Sequence, residues 1–403
     1  MIVRRFLAWA QNAPAAARAK GAGALARAWL YSDLSPDDRR EALVAMTALL
    51  DDSAIAVRQA LSEVLANHSQ APRHIVSMLA VDHADVALPV LAHSPLLSDA
   101  ELIDCATIGD TFCQCAIASR SGLSGGVAAA LAEIGSADAA IMLARNETAE
   151  LTHPVLRRLI ERFWDDGAVR EAILVRPNLP AVLRAELVAA TARALSAFVT
   201  ACSWLPEERA RRATREAAER AHLIIAGDDG EGAAQGLVDL VGHLRRSGQL
   251  TPGFILRALL AGHLALCEVA LSDLSGLPLK RVSGLMRDHR NVGFSALLTR
   301  AGLPASIFPA VRAALAAIEE AGLTVSLTGR LSRLVVERAL NACEHLAPED
   351  SGKVLALLRR FEAEAAVEEA RDEAVRLSRP DVPAHRQVVI DLDAIEAELF
   401  EAA

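Results

Sequence analysis

Along residues 1–180, apolar positions come in short clusters at three- and four-residue spacing, and the clusters repeat. An aliphatic residue, then Ala, then a polar or small pair recurs with a strict period of 26 as Leu65-Ala66-Asn67-His68, Leu91-Ala92-His93-Ser94, Ile117-Ala118-Ser119-Arg120 and Leu143-Ala144-Arg145-Asn146. A fifth copy, Leu174-Val175-Arg176-Pro177, follows after 31, with an insertion around residues 147–152 absorbing the longer step. Other columns agree. Pro72, Ser98 and Ser124 share one offset, Leu79, Cys105 and Leu131 another, and Val86 with Phe112 a third.

Pro72, Ser98 and Ser124 sit where a helix starts, Pro as a first helical residue and Ser as an N-cap. Apolar residues follow at helical spacing, then a polar turn such as Asp82-His83-Ala84-Asp85 and a second short helix. A unit of two short helices cannot bury its apolar face alone, and stacking neighbours makes one continuous core. The pattern predicts an all-α protein with an α-solenoid of short HEAT-like repeats over residues 1–180. A single bundle with accidental periodicity is the alternative.

After residue 180 that register is lost and the helices lengthen. Helices are expected at 187–198, 206–225, 237–246, 252–274, 279–289, 294–301, 304–321, 328–343 and 352–377, and no stretch alternates with period two for long enough to suggest a sheet. A C-terminal helical domain is placed at 181–346. Residues 347–403 form a long acidic helix, a Pro-containing linker at 378–387 and an acidic-hydrophobic tail at 388–400 that either folds back or acts as a tethered ligand. The Gly- and acid-rich run 228–232 reads as a boundary or loop.

Composition narrows the class. Of 403 residues 52% are hydrophobic and only 3% aromatic, which suits shallow helical layers packed through Ala, Leu and Val and excludes a disordered chain. Six cysteines without a CxxC pair fit a reducing compartment rather than a disulfide scaffold. The most apolar run, 259–267, is too short to span a bilayer, so a soluble, cytoplasmic protein with no membrane span is expected. The N-terminal MIVRRFLAWA has too short an apolar core for a signal peptide and reads as a docking helix, with Ile2, Phe6, Trp9 and Ala10 on one face and Arg4 and Arg5 off it. A basic amphipathic helix of this kind can also lie on a membrane surface. Net charge is −9, and residues 347–403, with 14 acids and 7 bases, carry −7 of it.

Candidate chemistry is sparse. Ala270 to Leu285 resembles a helix-turn-helix, with Ser272, Gly276 and Val282 at the corner and Lys280, Arg281 and Arg287 on or beside a recognition helix. Against DNA binding stands the lack of a basic surplus. Arg209, Arg211, Arg212, Arg215 and Arg220 are nearly cancelled by Glu207, Glu208, Glu216 and Glu219, as on an ion-paired solvated face. His68, His74, His83 and His93, with Cys105, Cys113 and Cys115 beyond, occupy different repeat offsets, so no metal site is expected. No nucleophile elbow, Walker A, dinucleotide fingerprint or zincin motif occurs, and Gly-rich Ser121 to Gly126 reads as a turn with an N-cap. Neither a catalytic residue nor a cofactor is assigned. One surface follows from geometry: Asn67, His93, Ser119, Arg145 and Arg176 should line up as a polar ladder, either a partner-binding face or an inter-repeat hydrogen-bonding ladder.

A resemblance adds to this. Ala28-Trp29-Leu30-Tyr31-Ser32-Asp33-Leu34-Ser35-Pro36, Leu49-Leu50-Asp51-Asp52, Val57-Arg58-Gln59-Ala60-Leu61, Ala71-Pro72-Arg73-His74 and the run from Pro89 to Leu97 resemble a family of uncharacterised proteins found mostly in alphaproteobacteria. Arg176-Pro177-Asn178-Leu179-Pro180, Ala270-Leu271-Ser272 with Leu277-Pro278, and Ala301-Gly302-Leu303-Pro304 look like the same pattern, which runs over most of residues 1–345. The resemblance implies a HEAT-like helical fold with no established activity and no catalytic residues to carry over. The expectation is a non-enzymatic scaffold or regulatory adaptor binding a protein partner along the solenoid, with a DNA-binding regulator as the alternative and a small-ligand sensor third. Homo-oligomers are compatible with all three.

Overall fold

The computed structural model describes residues 6, 8–228, 233–321, 330–344 and 348–377; among these every regular element is a helix and none is a strand. Chain contacts divide the protein after Leu250 into two units. Residue 180, where the strict register ends, therefore falls within the first. Residues 229–232, 322–329 and 378–403, which carry the expected acidic loop, the start of the helix at 328 and the whole linker and tail, lie outside the described residues, as do Ile2, Arg4 and Arg5.

The first unit runs through α1 (Ala15–Tyr31), α2 (Pro36–Ala48), α3 (Ile55–Leu65), α4 (Arg73–Ala80), α5 (Ala84–His93), α6 (Asp99–Ile108), α7 (Thr111–Ala118), α8 (Gly125–Ile134), α9 (Ala137–Arg145), α10 (His153–Arg162), α11 (Gly167–Leu174), α12 (Ala181–Ala201), α13 (Glu207–Ala226) and α14 (Ala233–Arg246). They stack as two rows. Helices α1, α3, α5, α7, α9 and α11 pack each on the next, and α6, α8, α10, α12 and α14 do the same alongside. This is the two-row solenoid that the repeat predicts. The columns Leu79, Cys105, Leu131 and Leu65, Leu91, Ile117, Leu143 are all buried, each such aliphatic contributing about 1.5–3 kcal/mol.

Small residues let the layers approach. Ala22 and Ala26 of α1 face Val57 and Leu61 in one continuous core, and Gly21 lies under the Phe6 and Trp9 rings, where an added Cβ would come within 2.9 Å of both. Helix starts follow the sequence. Ser98 caps α6 in a capping box with Glu101, Ser124 caps α8 at Val127 N, and Pro72 precedes α4. The starts of α7, α9 and α11 in the other row use Asp110, Ser136 and Asp166 in the same way. Layers are also tied by bidentate ion pairs, Arg18 to Asp52 at 2.7 and 2.8 Å and Arg58 to Asp82 at 2.5 and 2.8 Å.

Two sequence columns shift by one residue. Val86 is buried, but its partner in the next repeat is buried Cys113, while Phe112 points out. The fifth copy is Ile173, fully buried, and not Leu174, which is exposed. A run of small repeats fixes the period but not the phase, because neighbouring aliphatic residues satisfy the same pattern until a packing partner selects one of them.

The second unit contains α15 (Pro252–Leu260), α16 (Leu264–Ser275), α17 (Leu279–Arg287), α18 (Val292–Arg300), a 3₁₀ turn (Ala305–Ile307), α19 (Phe308–Ala321), α20 (Arg333–Cys343) and α21 (Pro348–Leu377). The single helix expected over 252–274 is broken. Gly262 takes φ +80, its N–H donates to Leu259 O, and His263 N–H donates to Ala258 O, both at 2.9 Å, which ends α15 and satisfies its last carbonyls. The repeat register, expected to be lost after 180, also returns here. Gly276-Leu277-Pro278 and Gly302-Leu303-Pro304 stand one repeat period apart, each with a left-handed Gly followed by a new helical start. Arg300 Nε donates to Ser275 O at 2.7 Å, tying α18 to the end of α16 as the first unit ties its own layers.

Candidate functional site

The predicted ladder resolves into two adjacent columns with different work. Asn67, His93, Ser119 and Arg145 lie at the C-terminal ends of α3, α5, α7 and α9, and all four are exposed. Arg176 is not among them. It belongs one place later, with His68, Ser94, Arg120 and Asn146, because Ile173 and not Leu174 is the buried residue of its repeat.

That second column stitches the layers. Arg120 donates to Leu91 O at 2.6 Å and Ser94 O at 2.7 Å; Asn146 Nδ2 donates to Ala118 O at 2.8 Å and Arg120 O at 2.7 Å; Arg176 donates to Ala144 O and Asn146 O at 2.9 Å. Each reaches back to carbonyls that end the helix of the previous repeat and have no intrahelical donor. His68 plays a related part, its Nε2 standing 2.8 Å from Tyr31 Oη. The inter-repeat hydrogen-bonding ladder that the sequence allowed is thus real and one residue out of place.

On the other edge of the rows, successive corners bring out apolar side chains. Val81 follows the end of α4, and Ile108 and Ile134 are the last residues of α6 and α8; Ile108 is 73% exposed and Phe112, at the start of α7, 68%. Gly109 and Gly135 follow Ile108 and Ile134 because a Cβ there would lie 2.6 Å from Cys105 O and 2.5 Å from Leu131 O. Sequence reasoning passed over this stripe. Its signal was an aliphatic-Gly-cap triad, Ile108-Gly109-Asp110, that returns one repeat later as Ile134-Gly135-Ser136.

The titratable groups are spent locally. His74 Nε2 lies 3.1 Å from Thr47 Oγ1, and His83 caps Asp85 N–H. Burial pushes the thiols of Cys105, Cys113 and Cys115 up, Cys113 to about 11, so at neutral pH they are thiols and behave as small apolar residues. Glu101 is held down at about 2, first by the Ser98 backbone N–H and then by the Ser98 hydroxyl. Among the described residues no group of three or more His, Cys, Asp or Glu is placed to hold a metal ion. The turn at 121–126 caps α8 and receives Thr148, whose Oγ1 accepts from Gly122 N–H at 3.0 Å.

The helix-turn-helix corner exists in outline. Gly276, at φ +68, ends α16, Ser272 Oγ donates to Leu277 O at 2.7 Å, and Ser283 Oγ donates to Glu268 at 2.6 Å, fixing α17 on α16. Val282 and Met286 are buried, while Lys280, Arg281 and Arg287 are exposed together with Arg290. The same Gly-Leu-Pro corner recurs at Gly302, so repeat packing alone accounts for the motif. On α13, Arg211 pairs with Glu207 and Arg212 with Glu216, as the alternating charges predict.

No curated protein and no solved structure matches the chain. Residues 86–356 match the model of a family described as an uncharacterised protein conserved in bacteria, DUF2336, and because the match covers more than half of the chain, the protein belongs to that family.

Proposed function

We propose that the protein is a non-enzymatic scaffold or adaptor that holds a protein partner along the first unit's solenoid. The observation that carries this reading is the exposed apolar stripe of Ile108 and Ile134, one repeat period apart at the same corner of successive layers, with exposed Val81 and Phe112 at the corners beside them. Apolar surface at a repeated position is what an extended partner engages on a solenoid. The exposed polar column Asn67, His93, Ser119 and Arg145 is the second candidate contact, suited to hydrogen bonds along the same run of repeats. The test compares native-extract pull-downs by the full chain and by Ile108→Glu/Ile134→Glu, after checking that the two unfold alike. A partner held by the wild type and lost by the variant supports the stripe; equal recovery by both, or none by either, sinks it.

A second reading rests on α17, which exposes Lys280, Arg281 and Arg287 with no acid of its own. If it contacts DNA phosphates, affinity falls steeply with salt, and Lys280→Glu/Arg281→Glu flattens that slope by about 2. Absence of any salt-dependent DNA binding removes this alternative.

A further inference from the structure

The hairpin of α12 and α13 carries a surface that the repeat packing does not use. Toward its tip the last buried residue of α12 is Ala190 and the first of α13 is Ala210. Residues 191–201 therefore continue α12 by about 16 Å past its last buried side chain. On this extension Leu195 and Phe198 are exposed, and in the turn after it Trp204 and Leu205, Trp204 at 68% and Phe198 at 55%. The tip is ordered by its own bonds. Cys202 N–H donates to Phe198 O, Ser203 N–H to Thr200 O and Trp204 N–H to Val199 O at 2.9–3.1 Å, with Ser203 in the left-handed region at φ +55. The Phe198 and Trp204 rings meet edge to face, 5.6 Å between centroids.

Charge says what such a tip would meet. Residues 191–220 hold six arginines against Glu207, Glu208, Glu216 and Glu219, a net +2 in a chain of −9; Arg211 and Arg212 are ion-paired with Glu207 and Glu216 on their own helix, while Arg209 and Arg215 are exposed. Two copies meeting tip to tip would bring like charges together, which disfavours self-association. Trp and Phe backed by Arg suit the boundary between acyl chains and headgroups of an anionic bilayer, where an amphipathic ring has one apolar and one wet side. No described helix is long and apolar enough to cross a membrane, so this contact is peripheral. We propose that the α12–α13 tip is a wedge that docks the protein on anionic lipid, with Leu195, Phe198 and Trp204 entering the bilayer surface and Arg209 and Arg215 facing the phosphates.

The full chain is sedimented with phosphatidylcholine vesicles, with and without phosphatidylglycerol. Binding to the anionic vesicles that weakens with salt is expected, and Phe198→Ser/Trp204→Ser should lower it by about tenfold or more. Both residues are exposed, so the variant should unfold at the wild-type temperature, and Trp204→Phe should keep most of the binding. Arg209→Glu/Arg215→Glu should lose the preference for anionic lipid. The proposal is overturned if the wild type stays in the supernatant, or if the serine variant pellets as the wild type does. It is equally overturned if vesicles have no effect and the serine variant instead dissolves a dimer seen by sedimentation equilibrium.

Discussion

The guanidinium of Arg257 on α15 meets both carboxylate oxygens of Glu364 on α21, at 2.8 and 2.9 Å, and lies 4.6 Å from the centre of the Phe361 ring. Arg257 is 1% exposed, in a helix whose other residues from Phe254 to Leu260 are all apolar and buried. The pair ties α21 to α15 beside the buried Val354, Leu358, Phe361 and Ala365 of α21. Farther along, Glu369 pairs with Arg333 and Asp372 with Arg330, both near the surface, where ion pairs contribute little.

Removing the arginine takes the bidentate guanidinium from the Glu364 carboxylate, whose side chain is only 19% exposed. Arg257→Met is expected to destabilise the protein by about 3–5 kcal/mol, and Arg257→Met/Glu364→Leu should recover most of that loss. Urea unfolding of the three proteins checks both; a single variant costing no more than a surface change would show that the pair is not the anchor.

The two columns at the repeat ends should separate in stability. Arg120→Ala strands the carbonyls of Leu91 and Ser94 and should cost about 1–3 kcal/mol, whereas exposed Ser119→Ala should stay within about 0.5 kcal/mol. Denaturant midpoints measure the contrast, and similar losses at the two sites would contradict it.

Glycines are required here for two distinct reasons. Gly276, at φ +68 with open space around it, should cost about 1–2 kcal/mol as Ala through backbone conformation alone. Gly135 has an ordinary φ of −64, but a Cβ would lie 2.5 Å from Leu131 O, so Gly135→Ala must displace the end of α8. Hydrogen exchange distinguishes the two: Gly135→Ala should loosen amides around Leu131, while Gly276→Ala lowers stability without a local change.

Acid should weaken the first unit before it reaches the carboxylates. Burial pushes His222 down to about 4, with a hydrogen bond to the Ala185 backbone opposing the shift. An imidazole depressed in the folded state favours folding fully above its unfolded pKa near 6.5, and that contribution is lost as pH falls toward 4. The loss is about 3 kcal/mol for a shift of this size. Burial lowers His243 in the same unit too, adding to the slope, and lowers His263 in the second unit. Unfolding free energy followed from pH 7 to pH 4 should decline, and His222→Gln should flatten the decline; an unchanged slope in the variant would assign it elsewhere.

Local chemistry was legible in the residues themselves. The caps at Ser98 and Ser124, the left-handed glycines before Leu-Pro and the repeat period are short-range features, so the all-α fold and its repeat follow from the chain alone. Phase was not. Leu174 and Ile173 satisfy the pattern equally, and only the neighbouring layer decides that Ile173 is buried and that Arg176 therefore caps the carbonyls of α9. The exposure of Ile108, Phe112 and Ile134 has the same origin, since an aliphatic residue at a helix end reads as core until the next layer fails to cover it.

The sequence by itself determined where helices begin, how often they recur and that their cores are built from small aliphatic side chains, because caps, turns and periodicity act over a few residues. Tertiary structure decided which face of each helix is covered, and it paired Arg257 with one carboxylate, far along the chain, among the several acids of a single helix. Burial and charge pairing depend on what lies opposite, and the partner is set by packing across the chain rather than along it.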